Sequence, residues 1–462
     1  MNIAPFPPPL DTLAVTNPLV EDLIARALPA QRLIEGWSEE RIDGLLLALA
    51  QTIADHAEEL AVATVAETGM GNIHDKTFKN RIASLGIYEQ LVGRIGQGVL
   101  GFDAQLQIAE VASPVGIVVG LVPATHPVAT FSFKTLIAIK ARNALIISPS
   151  RRAAQVSQQV GMLIQQVLRA HGAPADLVQW VPAGHDHRTT ASLMAHRQVG
   201  LVLATGGAAM VRAAYRSGTP AIGVGSGNAP VLIGADANIT HVARGIVPSK
   251  AFDNGLICGA ENNLVVVAAV RARLIMELEE HGAAVLSHSE STRFLSVAVD
   301  RQTGRFATRV IGQPAAMLAG WAGIQRPYAI QTLVVPADVI AAERCLAIEK
   351  LAPVLSLFTV ADAEEGLRTC RALLELDGAG HTAIIYTQND GLIEHFVTQM
   401  PVSRVLVNSP GTQGVLGLTT GLRLSMTLGC GTWGGTSTTE SITYTHLLNI
   451  KRIAHYTPER VD

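Results

Sequence analysis

The feature that most constrains the fold is an alternation of continuous apolar runs and helical patterns that begins at Val115. The runs VGIVVGLVP (115–123) and NALIISP (143–149) are apolar over nearly their whole length, and a helical pattern over 130–142 lies between them. Strands that are apolar on both faces and joined by helices are typical of a parallel sheet covered on both sides. The alternation therefore predicts an α/β domain with a parallel sheet.

The same alternation continues towards the C-terminus. Further strands are predicted at 177–182, 199–207, 220–227, 263–270, 331–336, 382–387 and 404–408, with helices over 151–172 and 208–217. A chain of 462 residues is too long for one simple core. We therefore predict two α/β domains, over 1–235 and 236–427, and a return segment with an arm over 428–462. Ligands of such sheets bind at the carboxyl ends of the strands, near the point where the strand order reverses.

Three segments lie outside these two series. The stretch 96–114 alternates like a projecting hairpin, and the residues near 436–447 are polar and alternating, as in an exposed arm. Such arms often serve association. Earlier in the chain, Ser38 is a typical N-cap for a helical pattern that continues to the two glycines of AETGMG (66–71).

Composition excludes several classes of protein. Hydrophobic residues make up 48% of the chain and charged residues 16%, which is typical of a compact globular protein. The net charge of −3 gives no basic field for nucleic acid. The sequence has no uncharged apolar run long enough for a transmembrane helix. Its first residues lack the basic and apolar regions of a signal peptide.

The cysteines favour a reducing compartment. Cys258, Cys345, Cys370 and Cys430 lie far apart and form no CxxC pair. This spacing predicts free thiols and a cytoplasmic location. The stretch GHDHR (184–188) holds two histidines without a nearby cysteine or glutamate pair, so we predict no metal site.

Cys258 lies in KAFDNGLICGAENNLVV (250–266), behind a glycine and before an apolar run. Residue type alone favours a small buried hydrophobic group. The alternative is a nucleophile, whose thiolate would be stabilised by backbone N–H groups to which Gly255 allows close approach. The residues of this stretch by themselves leave both interpretations open.

The segment FDNGLIC (252–258) resembles the nucleophile segment of the aldehyde dehydrogenase superfamily. It is most similar to the CoA-acylating branch, typified by the aldehyde half of bifunctional aldehyde–alcohol dehydrogenases. Six more segments resemble that branch in the same order: 66–80, 114–153, 203–233, 349–357, 378–387 and 428–435. The resemblance implies an aldehyde dehydrogenase-like fold with two Rossmann-like domains and oligomerisation arms.

The resemblance gives Cys258 the role of nucleophile. Its thiolate would attack an aldehyde, a hydride would pass to a nicotinamide, and a thioester would remain on the enzyme. The backbone N–H of Cys258 and a group at Thr125 would hold the oxyanion. Close CoA-dependent relatives often have asparagine where this chain has His126. His126 would therefore either face the substrate or have a purely structural role.

The most informative position is Val224, in GVGSG (223–227). Hydrolytic relatives carry at this position a glutamate that activates water, whereas valine accepts no proton. The acyl group would then leave to the CoA thiol. His381 is the candidate base for either the thiol or a water. A hydrolytic enzyme with a relocated base remains the alternative, and a non-catalytic dinucleotide-binding protein is a third hypothesis.

The resemblance also implies a cofactor site for NADP or NAD. Its residues would be Pro123, Ser148, Arg151, Arg152, Gly206, Gly207, Gly225 and Glu349. The two glycines at 206–207 would open a helix towards the pyrophosphate. The two arginines at 151–152 could hold a 2′-phosphate, which favours NADP, although a solvated helix start explains them equally well.

The predicted aldehyde pocket comprises His126, Ile257 and, in the loop 408–427, Thr419, Thr420 and Arg423. Hydroxyls and a cation in that loop favour a small polar or anionic aldehyde, with sulfoacetaldehyde as the best candidate. Acetaldehyde or propanal is the alternative. The partners expected are this aldehyde and CoA, with no nucleic acid and no membrane. The arms at 96–113 and 438–450 lie where the family's oligomerisation strands are found, which predicts a homodimer or homotetramer.

Overall fold

The computed structural model describes residues 17–338, 340 and 344–456. The N-terminal part is helical: α1 (Pro18–Glu35), α2 (Glu39–Asp55), α3 (Ala57–Thr68), α4 (Ile73–Arg81) and α5 (Ile87–Leu91). Ser38 caps α2, since its side chain accepts the N–H of Arg41. The helical pattern that we predicted as one unit divides at His56 into α2 and α3, and Gly69 ends α3 in the left-handed conformation.

The first parallel sheet has the order β5-β4-β3-β6-β7. Its strands are β3 (Ile117–Val122), β4 (Ala144–Pro149), β5 (Val178–Trp180), β6 (Val199–Ala204) and β7 (Ala221–Gly223), preceded by the hairpin β1 (Gly98–Asp103) and β2 (Ile108–Pro114). The helices between them are α6 (Pro127–Lys140), α7 (Ala154–Ala170), α8 (His187–Met194) and α9 (Ala208–Arg216). The strand order reverses between β3 and β6, which places a crevice at the carboxyl ends of these two strands.

The second parallel sheet has the order β10-β13-β14-β9-β8-β15-β16. Its part of the chain contains β8 (Ala229–Ile233), β9 (Glu261–Val267), β10 (Ala283–Val285), a two-stranded ribbon of β11 (Val299–Asp300) and β12 (Arg305–Phe306), β13 (Thr332–Pro336), β14 (Val354–Val360), β15 (Gly380–Tyr386) and β16 (Val402–Val407). The helices are α10 (Ile239–Ala251), α11 (Ala268–Glu280), α12 (His288–Ala298), α13 (Ala315–Trp321), α14 (Arg344–Ala347), α15 (Ala363–Leu376), α16 (Asp390–Gln399) and α17 (Gly411–Val415). The α/β fold with two parallel sheets is confirmed.

The chain passes from the first sheet to the second before residue 236. The strand β8 pairs with β9 and β15, so it belongs to the second sheet, although it precedes residue 236. The division between the sheets therefore lies between Gly223 and Ala229. The run 220–227 predicted one strand, but β7 ends at Gly223 and a short loop separates it from β8.

A third, antiparallel sheet forms the arms. The last strand, β17 (Leu448–Ala454), pairs with β2, which also pairs with β1. The predicted hairpin over 96–114 is therefore present, whereas the C-terminal strand begins at Leu448, at the end of the segment predicted as an arm. Among the described residues, no helix has both the length and the apolar character needed to cross a membrane.

Candidate active site

Cys258 lies in a turn between a short 3₁₀ segment (Phe252–Gly255) and β9. Asp253, Asn254 and Gly255 have φ of 46°, 55° and 76°, so three consecutive residues are left-handed. Aspartate and asparagine tolerate this region better than most residues, but it remains unfavourable for them. At Gly255 a Cβ atom would lie 2.4 Å from the carbonyl oxygen of Ala352, so the site needs glycine. This backbone conformation places Cys258 at the wall of a cavity.

Cys258 lines a cavity of about 150 Å³. Its polar lining consists of Thr125, His126, Thr205, Ser226 and Glu349, and its apolar lining of Val224, Leu256, Leu351, Met426 and Leu428. The Thr125 loop follows β3 of the first sheet and Cys258 precedes β9 of the second, so the cavity lies between the two sheets. A volume of this size suits a short aldehyde chain.

Burial raises the pKa of Cys258 to about 12, and the charges of Glu349 and Cys430 raise it further, whereas Arg404 lowers it. A raised pKa means that the thiol is protonated at neutral pH. The thiol must therefore lose its proton during its attack on a substrate.

Glu349 is the carboxylate of the cavity wall. Its Oε1 accepts the N–H of Gly227 at 3.1 Å, and its own N–H donates to Asp377 Oδ2 at 3.1 Å. Burial raises the pKa of Glu349 to about 8, and the charge of Asp377 adds to this effect. The carboxyl group therefore changes its protonation state close to physiological pH.

His126 and Thr125 form a hydrogen-bonded pair on the opposite loop. Thr125 Oγ1 lies 2.8 Å from His126 Nδ1. Burial lowers the pKa of His126 well below its usual value, and the charges of Lys79 and Lys76 lower it further. The imidazole is therefore neutral at pH 7, with one ring nitrogen as donor and the other as acceptor.

A second cavity of about 370 Å³ lies at the carboxyl ends of β3, β4 and β6. Six of the predicted cofactor residues line it: Pro123, Ser148, Arg151, Arg152, Gly206 and Gly207. Gly207 precedes α9, whose first N–H groups have no side-chain cap. Uncapped N–H groups at a helix start, with arginines nearby, fit a pyrophosphate-containing dinucleotide. The remaining two residues, Gly225 and Glu349, line the Cys258 cavity instead.

The two cavities share part of their lining, because Pro123, Thr205, Gly206 and Gly207 belong to both. Arg151 and Arg152 are exposed at the far end of the larger cavity. Arg151 Nη2 lies 2.9 Å from His187 Nε2. Arg152 Nη2 donates to the carbonyl oxygen of Thr68 at 3.3 Å. An extended dinucleotide could thus reach from these arginines to the thiol.

The structure does not bring the predicted polar side chains of the loop 408–427 to the cavity. Thr419 Oγ1 contacts Ser409 Oγ at 2.8 Å, Thr420 Oγ1 donates to the carbonyl of Gly414 at 2.7 Å, and Arg423 is exposed. The turn that follows α17 uses these hydroxyls for its own hydrogen bonds. Met426 and Leu428 line the cavity from this segment instead, and beside Cys258 it is Leu256 rather than Ile257 that lines it.

His381 also lies away from the cavity lining. It is fully buried in β15, where Nδ1 contacts Thr382 Oγ1 at 2.9 Å and Nε2 has no hydrogen-bond partner. Burial lowers its pKa to about 3, and the charge of Arg404 adds to this effect. Such a ring accepts protons weakly, so its predicted role as base receives no support from its surroundings.

Sequence reasoning missed several residues at the site. Ser226, Met426 and Leu428 line the cavity, and Gly225 N–H donates to Cys430 Sγ at 3.2 Å. Lys76 and Lys79 contact Asp253 from α4. They occur in AETGMGNIHDKTFKN (66–80). Their spacing of three residues puts both on one helix face, and this was the only sequence signal that they could share a partner. Among the described residues, no group of His, Cys, Asp or Glu side chains is arranged to hold a metal ion.

The fold and the site together are typical of a dinucleotide-linked enzyme with a cysteine on the wall of its active-site cavity. The sequence matches the aldehyde dehydrogenase family over residues 11–447. The chain therefore belongs to the aldehyde dehydrogenase family, and its relatives are acylating members.

Three relatives illustrate this relationship. The chain is 37% identical to the bifunctional aldehyde-alcohol dehydrogenase AdhE of Escherichia coli (strain K12) over 448 residues, which cover 96% of this chain and 50% of that protein. It is 36% identical to the sulfoacetaldehyde dehydrogenase (acylating) of Cupriavidus necator, covering 96% and 91%. It is 33% identical to the succinate-semialdehyde dehydrogenase (acetylating) of Clostridium kluyveri, covering 95% and 96%. The chain thus spans about half the length of the bifunctional relatives it matches.

Solved structures agree with this assignment. An acetylating aldehyde dehydrogenase from Geobacillus thermoglucosidasius superposes with a TM-score of 0.92 at 36% identity, covering 96% of this chain and 98% of that one. A Rhodopseudomonas palustris propionaldehyde dehydrogenase with bound propionyl-CoA gives 0.85 at 26% identity, covering 94% of each chain. An engineered glycolyl-CoA reductase with bound NADP+ gives 0.85 at 26% identity, covering 94% and 96%.

Proposed function

We propose that this chain catalyses the reversible, NAD(P)-dependent and CoA-acylating oxidation of a short aldehyde to its acyl-CoA. The observation that carries the proposal is Val224, which lines the same cavity as Cys258. Hydrolytic relatives use a glutamate at this position to activate water, and an alkyl group accepts no proton. The acylating activity named for the relatives supports the same conclusion.

The first half of the proposed reaction takes place at Cys258. The thiol loses its proton and adds to the aldehyde carbon, which gives a thiohemiacetal. Thr125 and His126 supply polar side chains near the oxygen of this adduct, together with the backbone N–H of Cys258. NAD+ or NADP+, when bound in the larger cavity, supplies the hydride acceptor. Loss of a hydride to the bound cofactor and of the hydroxyl proton to solvent would leave an acyl thioester on Cys258.

The second half is transfer of the acyl group to the thiol of CoA, which regenerates Cys258. The alternative is hydrolysis, and Glu349 is the group that favours it, because it is the carboxylate on the cavity lining and its pKa is about 8. The resemblance assigns this carboxylate to the cofactor ribose, which would occupy its oxygens. Activation of water by Glu349 would therefore compete with cofactor binding.

The requirement for CoA distinguishes the two outcomes. Purified enzyme is mixed with NAD+ or NADP+ and an aldehyde, with and without CoA, and nicotinamide absorbance is followed. We expect a single burst of at most one equivalent per Cys258 without CoA, and sustained turnover with it. The Cys258→Ala variant is the control and should show neither. Sustained turnover without CoA would contradict the proposal and support hydrolysis.

The aldehyde itself is proposed from the cavity lining. None of the described lysines or arginines lines the cavity, so Arg423 gives no support to an anionic aldehyde. His126, Thr125 and Ser226 remain as hydrogen-bonding groups for a polar substituent. Sulfoacetaldehyde remains the proposed substrate, because an acylating sulfoacetaldehyde dehydrogenase is 36% identical to this chain, and acetaldehyde or propanal is the alternative. Comparison of kcat/KM over these aldehydes decides between them.

The assembly and the cellular location are each proposed on one observation. The antiparallel sheet of β1, β2 and β17 carries exposed apolar side chains, which favours association into a homodimer or homotetramer. Cys258, Cys370 and Cys430 have free thiols, as in proteins of a reducing compartment, which favours the cytoplasm. Size-exclusion chromatography with light scattering tests the first expectation, and localisation of a tagged chain tests the second.

A further inference from the structure

Two lysines of α4 are buried beside the loop that carries Cys258. Lys76 is 2% exposed and Lys79 is 1% exposed. Both contact the carboxylate of Asp253, which is fully buried and lies five residues before Cys258. Buried lysines are rare because a charge removed from water must find partners. Their partners therefore indicate what the two side chains do.

Lys76 contacts two loops at once. Its Nζ donates to the carbonyl oxygen of Thr125 at 2.8 Å and to Asp253 Oδ2 at 3.1 Å. Thr125 belongs to the first α/β domain, whereas Asp253 belongs to the loop that carries the nucleophile. One ammonium group thus connects the two opposite walls of the cavity. Lys79 differs, because its hydrogen bond goes to Asp253 alone.

The Asp253 end of this connection is held firmly. Asp253 Oδ1 accepts the N–H of Asn72 at 3.0 Å, and the N–H of Asp253 donates to Asp75 Oδ2 at 2.7 Å. A Cβ atom on Gly71 would lie 2.0 Å from Asp253 Oδ1, so the two segments are in close contact. The left-handed φ of 46° at Asp253 is maintained by these bonds. The start of α4 therefore holds in place the loop that carries Asp253 and Cys258.

The Thr125 end has a different consequence. The carbonyl of Thr125 and the N–H of His126 belong to one planar peptide group. The bond from Lys76 to this carbonyl therefore also fixes the direction of the His126 N–H and of the residues on either side of it. Both of these residues line the cavity opposite Cys258.

We propose that Lys76 is a positioning residue, which sets the separation between the Cys258 thiol and the Thr125–His126 wall. Simple neutralisation of Asp253 needs one lysine, and Lys79 already provides it. The second ammonium extends from the same carboxylate to the opposite wall. A buried ion pair is in itself weak evidence for a role in stability. This proposal depends on the proposed function in one respect: the experiment that tests it measures the reaction at Cys258.

The test compares Lys76→Met with Lys79→Met as the matched control. Both remove one buried ammonium from Asp253, but only Lys76→Met releases Thr125. We measure the rate of the CoA-free burst, the KM for the nicotinamide cofactor and the thermal midpoint. We expect Lys76→Met to slow the burst at least about tenfold more than Lys79→Met does, because a shift of about 1 Å in reacting groups strongly lowers rates. The cofactor KM should change less than about twofold, because Lys76 is absent from the lining of the larger cavity.

Lys76→Arg is the conservative variant, and it replaces Lys76→Met in the comparison if Lys76→Met folds poorly. We expect it to recover part of the burst rate, since it retains a cation that can reach both partners. Equal burst rates in Lys76→Met and Lys79→Met at similar thermal midpoints would overturn the proposal. So would parallel losses in burst rate and cofactor affinity, which indicate a general structural role. Turnover without CoA in the unmodified enzyme would contradict the proposed function but leave this comparison valid, because the rate of hydride transfer is still measured.

Discussion

At the scale of single residues, the reactivity of Cys258 depends on its neighbours more than on its own ionisation. Its pKa of about 12 leaves the thiol protonated at rest. Val224 supplies no base beside it, and Glu349 is partly protonated at neutral pH. A cavity of this kind protects a thioester from water until a stronger nucleophile arrives.

His126 is the residue that we expect to select the aldehyde. If Thr125 donates to Nδ1, the neutral ring presents Nε2–H as a donor to the cavity. Glycolaldehyde and propanal have the same number of heavy atoms and differ by an oxygen in place of a methyl group. His126→Leu should therefore lower kcat/KM for glycolaldehyde relative to propanal by about tenfold, as expected for a lost hydrogen bond in a buried site.

His126→Asn is the matched control, because asparagine retains a side-chain N–H donor. It should keep most of the preference for glycolaldehyde. If His126→Leu lowers kcat/KM for both aldehydes equally, the ring acts on the carbonyl oxygen and the expectation fails. Steady-state rates with both aldehydes, at saturating CoA and cofactor, provide the comparison.

Cys258, Thr125 and Val224 line one cavity, and the sequence could single them out because each lies in a short segment whose local pattern resembles one family; their roles stay predictions. It could not place Thr419 or Arg423, since the direction of that loop depends on contacts with α17 and on hydrogen bonds such as Thr420 to Gly414. Lys76 was missed for a related reason. On a helix of mixed polarity, only the tertiary contacts show that its ammonium is buried.

At the scale of elements, β4 and the 3₁₀ turn after it (Arg151–Ala153) determine the far end of the cofactor cavity. Arg151 and Arg152 are exposed there and available to a phosphate group. Arg151→Ala should lower kcat/KM for NADP+ by about tenfold more than for NAD+, which is the usual loss for a charge-assisted hydrogen bond. Initial rates with both cofactors measure this ratio.

Arg169→Ala is the control for this experiment, because Arg169 is an exposed arginine at the opposite end of α7. It should leave the ratio of NADP+ to NAD+ unchanged. An unchanged ratio in Arg151→Ala would instead show that Arg151 is a solvent-exposed residue at a helix start and does not bind the cofactor.

Most elements could be predicted from local pattern. The predicted strand 115–123 corresponds to Ile117–Val122, and the predicted helix 130–142 to Pro127–Lys140, which begins earlier because proline suits the first turn. The strand β8 was not predicted as a strand of its own, because its membership of the second sheet depends on pairing with β9 and β15. Such long-range pairing leaves no local signal.

At the scale of the whole molecule, the antiparallel sheet is the surface that we expect another copy to cover. Phe102 on β1 is 54% exposed and Ile453 on β17 is 49% exposed. The double variant Phe102→Glu, Ile453→Glu should shift the protein towards monomer in size-exclusion chromatography with light scattering, because charges would be buried at the interface.

Met276→Glu is the control for the assembly. Met276 is 70% exposed on α11, away from the antiparallel sheet, and the change should leave the molar mass as in the unmodified chain. A monomeric unmodified protein at micromolar concentration would contradict the expectation. The molar mass also establishes whether the dimer or the tetramer is the correct form.

The central claim is that an acyl group stays on Cys258 until CoA removes it. Mass spectrometry of the enzyme after incubation with aldehyde and NAD(P)+, without CoA, tests this claim most directly. We predict a mass increase equal to one acyl group, located on the peptide that contains Cys258 and lost on addition of CoA as acyl-CoA appears. An unmodified enzyme with free carboxylic acid accumulating in solution would contradict it.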